Sequence, residues 1–127
     1  MNPRKPHALI IGGSVGGLLA ASLLERIGWT VTLFERSEGD LSGRGAGLAV
    51  TENLLEITRS LGARIDPSSA AVVKHWTWID AGGMHRFNLE RESLASAWPR
   101  VYRPLRDLVP DAAYRAGMTL EDRKSVV

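Results

Sequence analysis

The chain has 127 residues, 44% hydrophobic and 24% charged, and its 16 basic and 14 acidic side chains leave a formal charge of +2. This composition fits one globular domain with a modest core and argues against a disordered tail or a nucleic-acid tether built on a basic block. Cysteine is absent, which excludes disulfides, thiolate metal sites and cysteine nucleophiles and suits a cytoplasmic compartment.

His7 to Ile11 is a short apolar run that stops at Gly12 and Gly13, as a buried parallel strand would. Leu19, Ala20, Leu23, Leu24 and Ile27 then recur at helical spacing up to Gly28, which predicts a helix over 15–27. The apolar stretch from Ala8 to Leu24 is broken by six Gly or Ser residues, so it reads as strand, turn and helix and not as a secretory leader or membrane span. Thr30 to Glu35 is rich in β-branched and aromatic residues and predicts a second strand parallel to the first. Four glycines between Gly39 and Gly47 predict a loop that lets another molecule approach the backbone closely.

Thr51 is placed as the N-cap of a second helix, with Leu54, Leu55, Ile57 and Leu61 on one face and Gly62 at its end. Residues 72–80 and 84–89 flank Ala81-Gly82-Gly83 and predict an antiparallel hairpin, with Trp76 and Trp78 together on a packed sheet face. Residues 103–116 are expected to be helical, with limits blurred by Pro104 and Pro110. The fold class is therefore α/β: a Rossmann-like βαβ unit with an attached antiparallel hairpin, an incomplete domain lacking a third parallel strand.

Gly12-Gly13-Ser14-Val15-Gly16-Gly17 lies between a predicted strand and a predicted helix, the setting that gives a glycine fingerprint its meaning. Gly12 permits the tight turn, Gly17 lets helix and strand pack closely, and the helix N-terminus offers N–H groups to a pyrophosphate. Ser14 stands where the strict pattern has its second glycine; its side chain is small and its hydroxyl is itself a phosphate donor. Glu35 ends the second strand 18 residues after Gly17, where an acidic side chain accepts hydrogen bonds from ribose hydroxyls and disfavours a 2′-phosphate. A structural βαβ unit with an incidental glutamate is the alternative.

Ile10 to Leu18, Leu33-Phe34-Glu35-Arg36 and Gly43-Arg44-Gly45-Ala46-Gly47 together resemble the FAD-dependent aromatic-ring hydroxylases, the single-component flavoprotein monooxygenases. The Gly-Gly-Ser-x-Gly-Gly form followed by Gly-Arg-Gly-Ala-Gly resembles the 2,6-dihydroxypyridine 3-monooxygenase-like members of that family, and Trp98, Tyr102, Arg103, Leu105 and Arg106 extend the likeness. The resemblance implies FAD as cofactor, NADH or NADPH as co-substrate, and transfer of one oxygen of O2 to a small aromatic substrate. It implies that Glu35 holds the adenosine ribose, that Arg36 is among the cofactor-binding residues, that Arg44, Gly45, Ala46 and Gly47 lie along the cofactor toward the flavin, and that Arg103 approaches the diphosphate or ribityl region. It names no catalytic residue, metal, nucleic-acid partner or membrane partner.

Two later cofactor motifs of that family and its substrate-binding sheet are not found in these residues, so the chain reads as an N-terminal part that does not turn over alone. The alternatives are a stand-alone dinucleotide-binding module and a fragment of an NAD-dependent dehydrogenase. The last six residues can be encoded by GATCGGAAGAGCGTCGTG, which resembles a sequencing-library adapter. Residues 1–121 are therefore expected to be a partial FAD-binding domain and 122–127 a non-native tail.

Overall fold

The structure, a computed structural model, describes residues 4–45 and 47–121. Its first layer is built from β1 (His7–Ile11), α1 (Val15–Arg26) and β2 (Thr30–Glu35). The two strands pair in parallel from His7 opposite Thr30 to Ile11 opposite Phe34, and α1 makes the crossover. Val31 and Leu33 of β2 are buried against Leu18 and Ala21 of α1, so the alternation of β2 and the helical spacing of α1 meet in one core.

The chain then runs through a short 3₁₀ turn (Leu41–Gly43) into β3 (Gly47–Val50) and α2 (Glu52–Ser60). Thr51 caps α2, its hydroxyl accepting from the Leu54 N–H at 3.2 Å. Both helices so far end in one arrangement. The N–H of Gly28 reaches the Glu25 carbonyl and that of Trp29 the Leu24 carbonyl; Gly62 and Ala63 do the same with Arg59 and Thr58. These are Schellman closures, and they explain why each helix stops where its glycine stands.

β4 (Ala71–Ile79) and β5 (His85–Ala97) follow, then α3 (Trp98–Arg106), a 3₁₀ turn (Asp111–Ala113) and β6 (Tyr114–Ala116). Two departures from expectation stand out. First, residues 103–116 are not one helix. Proline enters α3 within its first turn at Pro99 and again at Pro104, where it removes a backbone donor, and the helix stops at Arg106. After Pro110 the chain turns into β6, which pairs in parallel with β2 (Leu33 opposite Tyr114, Glu35 opposite Ala116), so the sheet β1-β2-β6 has the third strand the sequence seemed to lack.

Second, the expected hairpin forms, β4 pairing antiparallel with β5 across the turn at 81–83, but it is part of a three-stranded sheet ordered β3-β5-β4. β5 runs on past Leu89 through Glu90-Arg91-Glu92 to pair with β3, Gly47 opposite Ala97 and Val50 opposite Leu94. Trp76 and Trp78 do share a face, with Trp78 stacked on Phe87 at 4.4 Å between centroids. That face is not packed as expected: both indoles and Phe87 are exposed.

The core joins the layers. Val101, Tyr102 and Leu105 of α3 are fully buried with Leu18, Leu33 and Val109. Residues 122–127 and Ala46 lie outside the described residues, so the expectations placed on them, the tail among them, are left there.

Candidate functional site

The carboxyl ends of β1, β2 and β6 lie along one edge of the parallel sheet, the edge at which open parallel sheets bind nucleotides. At the end of β1 the backbone turns at Gly12, whose φ of +106° is a conformation side chains other than glycine rarely adopt. Its N–H is held by the Phe34 carbonyl at 2.7 Å, fixing the loop to β2. A Cβ at Gly17 would lie 1.8 Å from the Gly12 carbonyl oxygen, so α1 crosses the end of β1 at a separation that only glycine permits. Around Gly12 and Gly16, by contrast, the space outside the loop is open.

α1 starts at Val15 with Ser14 as its N-cap; the Ser14 hydroxyl makes no capping hydrogen bond and the first turn carries no acidic residue. The helix therefore brings no acidic side chain of its own to its positive end, and Ser14 beside it is exposed.

Glu35 is the buried charge of the site, 7% exposed. One carboxylate oxygen accepts from the Gly13 N–H at 2.8 Å and the other from the Ser37 N–H at 2.9 Å. Burial opposes ionisation, but the hydrogen bonds from Gly13 and Ser37 and the positive Arg44 outweigh it and hold the carboxyl below its ordinary value. Each oxygen retains a lone-pair site for a further donor.

This depression has a signed consequence. The unfolded chain takes up the Glu35 proton near the ordinary value of 4.5, whereas the folded chain resists it. The stability contributed by Glu35 is therefore complete above that value and lost as pH falls below it. Urea unfolding midpoints measured from neutral pH to about 3.5 are expected to fall more steeply for the parent chain than for Glu35→Gln, which has no carboxyl to protonate. Equal slopes would remove Glu35 from the acid response.

Arg36 is exposed just past β2, and Arg44 is exposed in the loop after it. Gly45 has φ of +101°, and a Cβ there would meet the Trp98 ring at 3.3 Å, so the loop is drawn against α3. Gly47 opens β3, with a Cβ position 3.6 Å from the Ser96 carbonyl. The exposed Arg103 donates from Nη2 to the Ser42 hydroxyl at 3.3 Å. Ser42 in turn gives its hydroxyl and its N–H to Asp40, the N–H at 3.0 Å. The Ser42 hydroxyl, the Ser42 N–H and the positive Arg103 and Arg106 hold the Asp40 carboxyl below its usual range.

A cleft of about 660 Å³ opens beside these groups, lined in part by Asp40, Tyr102, Arg103, Arg106 and Tyr114. Its wall carries four carboxylates (Glu38, Asp40, Asp107, Asp111) against two guanidinium groups, so it suits hydroxyl-rich parts of a nucleotide better than its phosphates. The glycine loop is not part of this lining; Tyr114 connects the two. Sequence reasoning assigned no role to Asp40 or Tyr114. Asp40 two residues before Ser42 is a recognisable Asx-turn signal, whereas Tyr114 sits in a strand too short to show alternation.

Among the described residues no group of His, Asp and Glu is arranged to hold a metal, and no helix is long and apolar enough to cross a membrane.

The FAD binding domain family matches residues 5–124. The chain is 36% identical over 69 residues to 2,6-dihydroxypyridine 3-monooxygenase of Paenarthrobacter nicotinovorans, an alignment covering 54% of this chain and 17% of that protein. It is 33% identical over 126 residues to a probable 2-heptyl-3-hydroxy-4(1H)-quinolone synthase of Rhodococcus erythropolis, covering 95% of this chain and 32% of that one. The solved structure of 2,6-dihydroxypyridine-3-hydroxylase from Arthrobacter nicotinovorans superposes with a TM-score of 0.67 at 26% identity, over 91% of this chain and 30% of that chain. The chain spans about a third or less of the length of these relatives.

Proposed function

From the premise that the chain belongs to the FAD binding domain family, we propose that it holds the ADP half of FAD for a monooxygenase that hydroxylates an aromatic or heteroaromatic ring with NADH or NADPH and O2. The observation that carries this reading is the joint geometry of Gly12, Gly17 and Glu35: an open glycine turn, a helix start without an acidic cap, and a buried ionised carboxylate hydrogen-bonded to the turn. FAD supplies the redox and oxygen chemistry when bound.

The chain's own residues bind and orient. The N–H groups from Ser14 to Gly17 and the Ser14 hydroxyl, at the start of α1, take the pyrophosphate, while the Gly13 N–H stays on Glu35. Glu35 accepts from the ribose hydroxyls through its free lone pairs, and its negative charge repels a 2′-phosphate, which disfavours NADP there. Arg36 stands at the rim of the ribose site. Arg44, Gly45 and Gly47 lie along the cofactor toward the flavin. Arg103, tethered to Ser42, meets the ribityl chain in the cleft beside it. The remaining polypeptide of the complete enzyme supplies the substrate ring's site, and the protein acts in the cytoplasm, a compartment with which the absence of cysteine from these residues is compatible.

Equilibrium titration of the chain with FAD, NAD and NADP tests this. FAD is expected to bind at least about tenfold more tightly than either nicotinamide dinucleotide, a difference of about 1.4 kcal/mol, and Gly12→Val and Glu35→Ala are both expected to weaken it. Preference for NAD would replace the reading with a dehydrogenase half, and no binding by a folded chain would remove the cofactor from it.

A further inference from the structure

The glycines of the loop face different surroundings. Nothing lies within 4 Å of a Cβ built on Gly12 or Gly16, so the outer side of the loop is open to a ligand. Gly13 faces the protein: a Cβ there would lie 2.3 Å from the Tyr114 hydroxyl, 2.9 Å from the ring carbon that bears it, and 3.0 Å from the Glu35 Cβ. The volume that a side chain at residue 13 would need is filled by Tyr114. Glycine at this position is therefore demanded by the third strand, not by a phosphate.

Tyr114 is itself gripped from several sides. It opens β6 opposite Leu33, two residues before Glu35 on β2. The Arg106 guanidinium lies 4.1 Å from its ring centroid, and Arg106 is in turn fixed by Asp111 Oδ1 at 2.7 Å and the Val109 carbonyl at 2.7 Å. Burial, with the neighbouring Tyr102 hydroxyl and the negative Glu35, pushes the phenol's proton affinity up, so the hydroxyl stays protonated. Gly13, on the other side of the wedge, donates to Glu35 at 2.8 Å.

We propose that Tyr114 is a positioning residue for the dinucleotide: wedged between α3 and Gly13, it fixes the loop with the Gly13 N–H on Glu35 and the open side toward the pyrophosphate. The inference rests on the FAD reading above and deepens it. A preset loop spends less binding energy on ordering when FAD arrives, so the effect of Tyr114 is read in affinity although it touches no reacting atom. The wedge also joins the loop to the cleft, because Arg106 both covers the Tyr114 ring and lines that cleft. It makes residues 13 and 114 one steric unit, in which a large side chain at 114 requires glycine at 13.

The test is a double-mutant cycle on the full chain, with FAD affinity and melting temperature measured for the parent, Gly13→Ala, Tyr114→Val and the double variant. Gly13→Ala is expected to weaken FAD by about 30-fold, and Tyr114→Val by about 5-fold, since it frees the loop without forcing it outward. In the double variant the alanine is expected to add less than about 3-fold to Tyr114→Val, because its principal obstacle has gone and only the Glu35 Cβ remains tight. Tyr114→Phe is the milder partner: it removes the atom at 2.3 Å, leaves the ring carbon at 2.9 Å, and is expected to rescue Gly13→Ala in part.

An alanine penalty of the same size beside tyrosine and beside valine overturns the proposal, as does a harmless Gly13→Ala. Should the parent chain bind no FAD, the FAD reading fails and the positioning role fails with it, while the melting-temperature cycle still decides whether 13 and 114 are sterically coupled. FAD binding by the parent with no coupling in either readout sinks the positioning role alone.

Discussion

Gly17→Ala is expected to abolish measurable FAD binding and to destabilise the chain by at least about 3 kcal/mol, the upper range for overpacking a rigid contact. The added Cβ would stand 1.8 Å from the Gly12 carbonyl oxygen, a backbone atom that cannot rotate away, and 3.5 Å from the Ile10 side chain. Either α1 lifts off β1, exposing Leu18 and Ala21, or the Gly12 turn opens and loses its 2.7 Å hydrogen bond to Phe34. Both routes destroy the phosphate-facing geometry. Thermal unfolding followed by circular dichroism is expected to shift down by about 10 °C, from roughly 4 °C per kcal/mol for a domain of this size. Gly16→Ala is the internal control for stability: its Cβ meets nothing, and it lies inside α1, where alanine is favoured over glycine by roughly 0.5–1 kcal/mol. A Gly17→Ala chain as stable as Gly16→Ala would show that helix and strand do not cross this closely.

The contrast between these neighbours shows what a sequence pattern carries. The spacing of Gly12 and Gly17, the termini of β1, α1 and β2, the cap at Thr51 and the stops at Gly28 and Gly62 were all legible, because each is marked by residue types within a few positions along the chain. The pairing of Glu35 with the loop was legible as a distance along the chain; that it runs through the Gly13 N–H was not. β6 was hidden because three residues are too few for alternation, and Pro104 and Pro110 masked the change from helix to strand. The extension of β5 was hidden by Glu90, Arg91 and Glu92, which are exposed and so leave no apolar rhythm. With β6 unseen, Tyr114 was assigned to a helix, and the reason for glycine at 13 stayed out of reach. Contacts between distant segments are where a local reading of the residues ends.

Glu35→Ala is expected to weaken FAD by about 100-fold, close to 3 kcal/mol, from the loss of the two charge-assisted hydrogen bonds to ribose that the proposed function assigns to it, at about 1.5 kcal/mol each. Part of the loss is indirect. The Gly13 and Ser37 N–H groups each use one carboxylate oxygen, and alanine leaves both without that acceptor, so the loop keeps the Gly12 bond to Phe34 but loses its second tie to β2 before any ligand arrives. Glu35→Gln separates charge from shape. The carboxamide has the same outline but a single oxygen, so one of the two N–H groups must face an NH2 donor, and the variant is expected to fall only modestly short of alanine in its loss. Calorimetric FAD titration of parent, alanine and glutamine variants checks this. A glutamine variant that binds like the parent would mean that neither the negative charge nor the second acceptor matters, leaving Glu35 as a spacer between β2 and the loop.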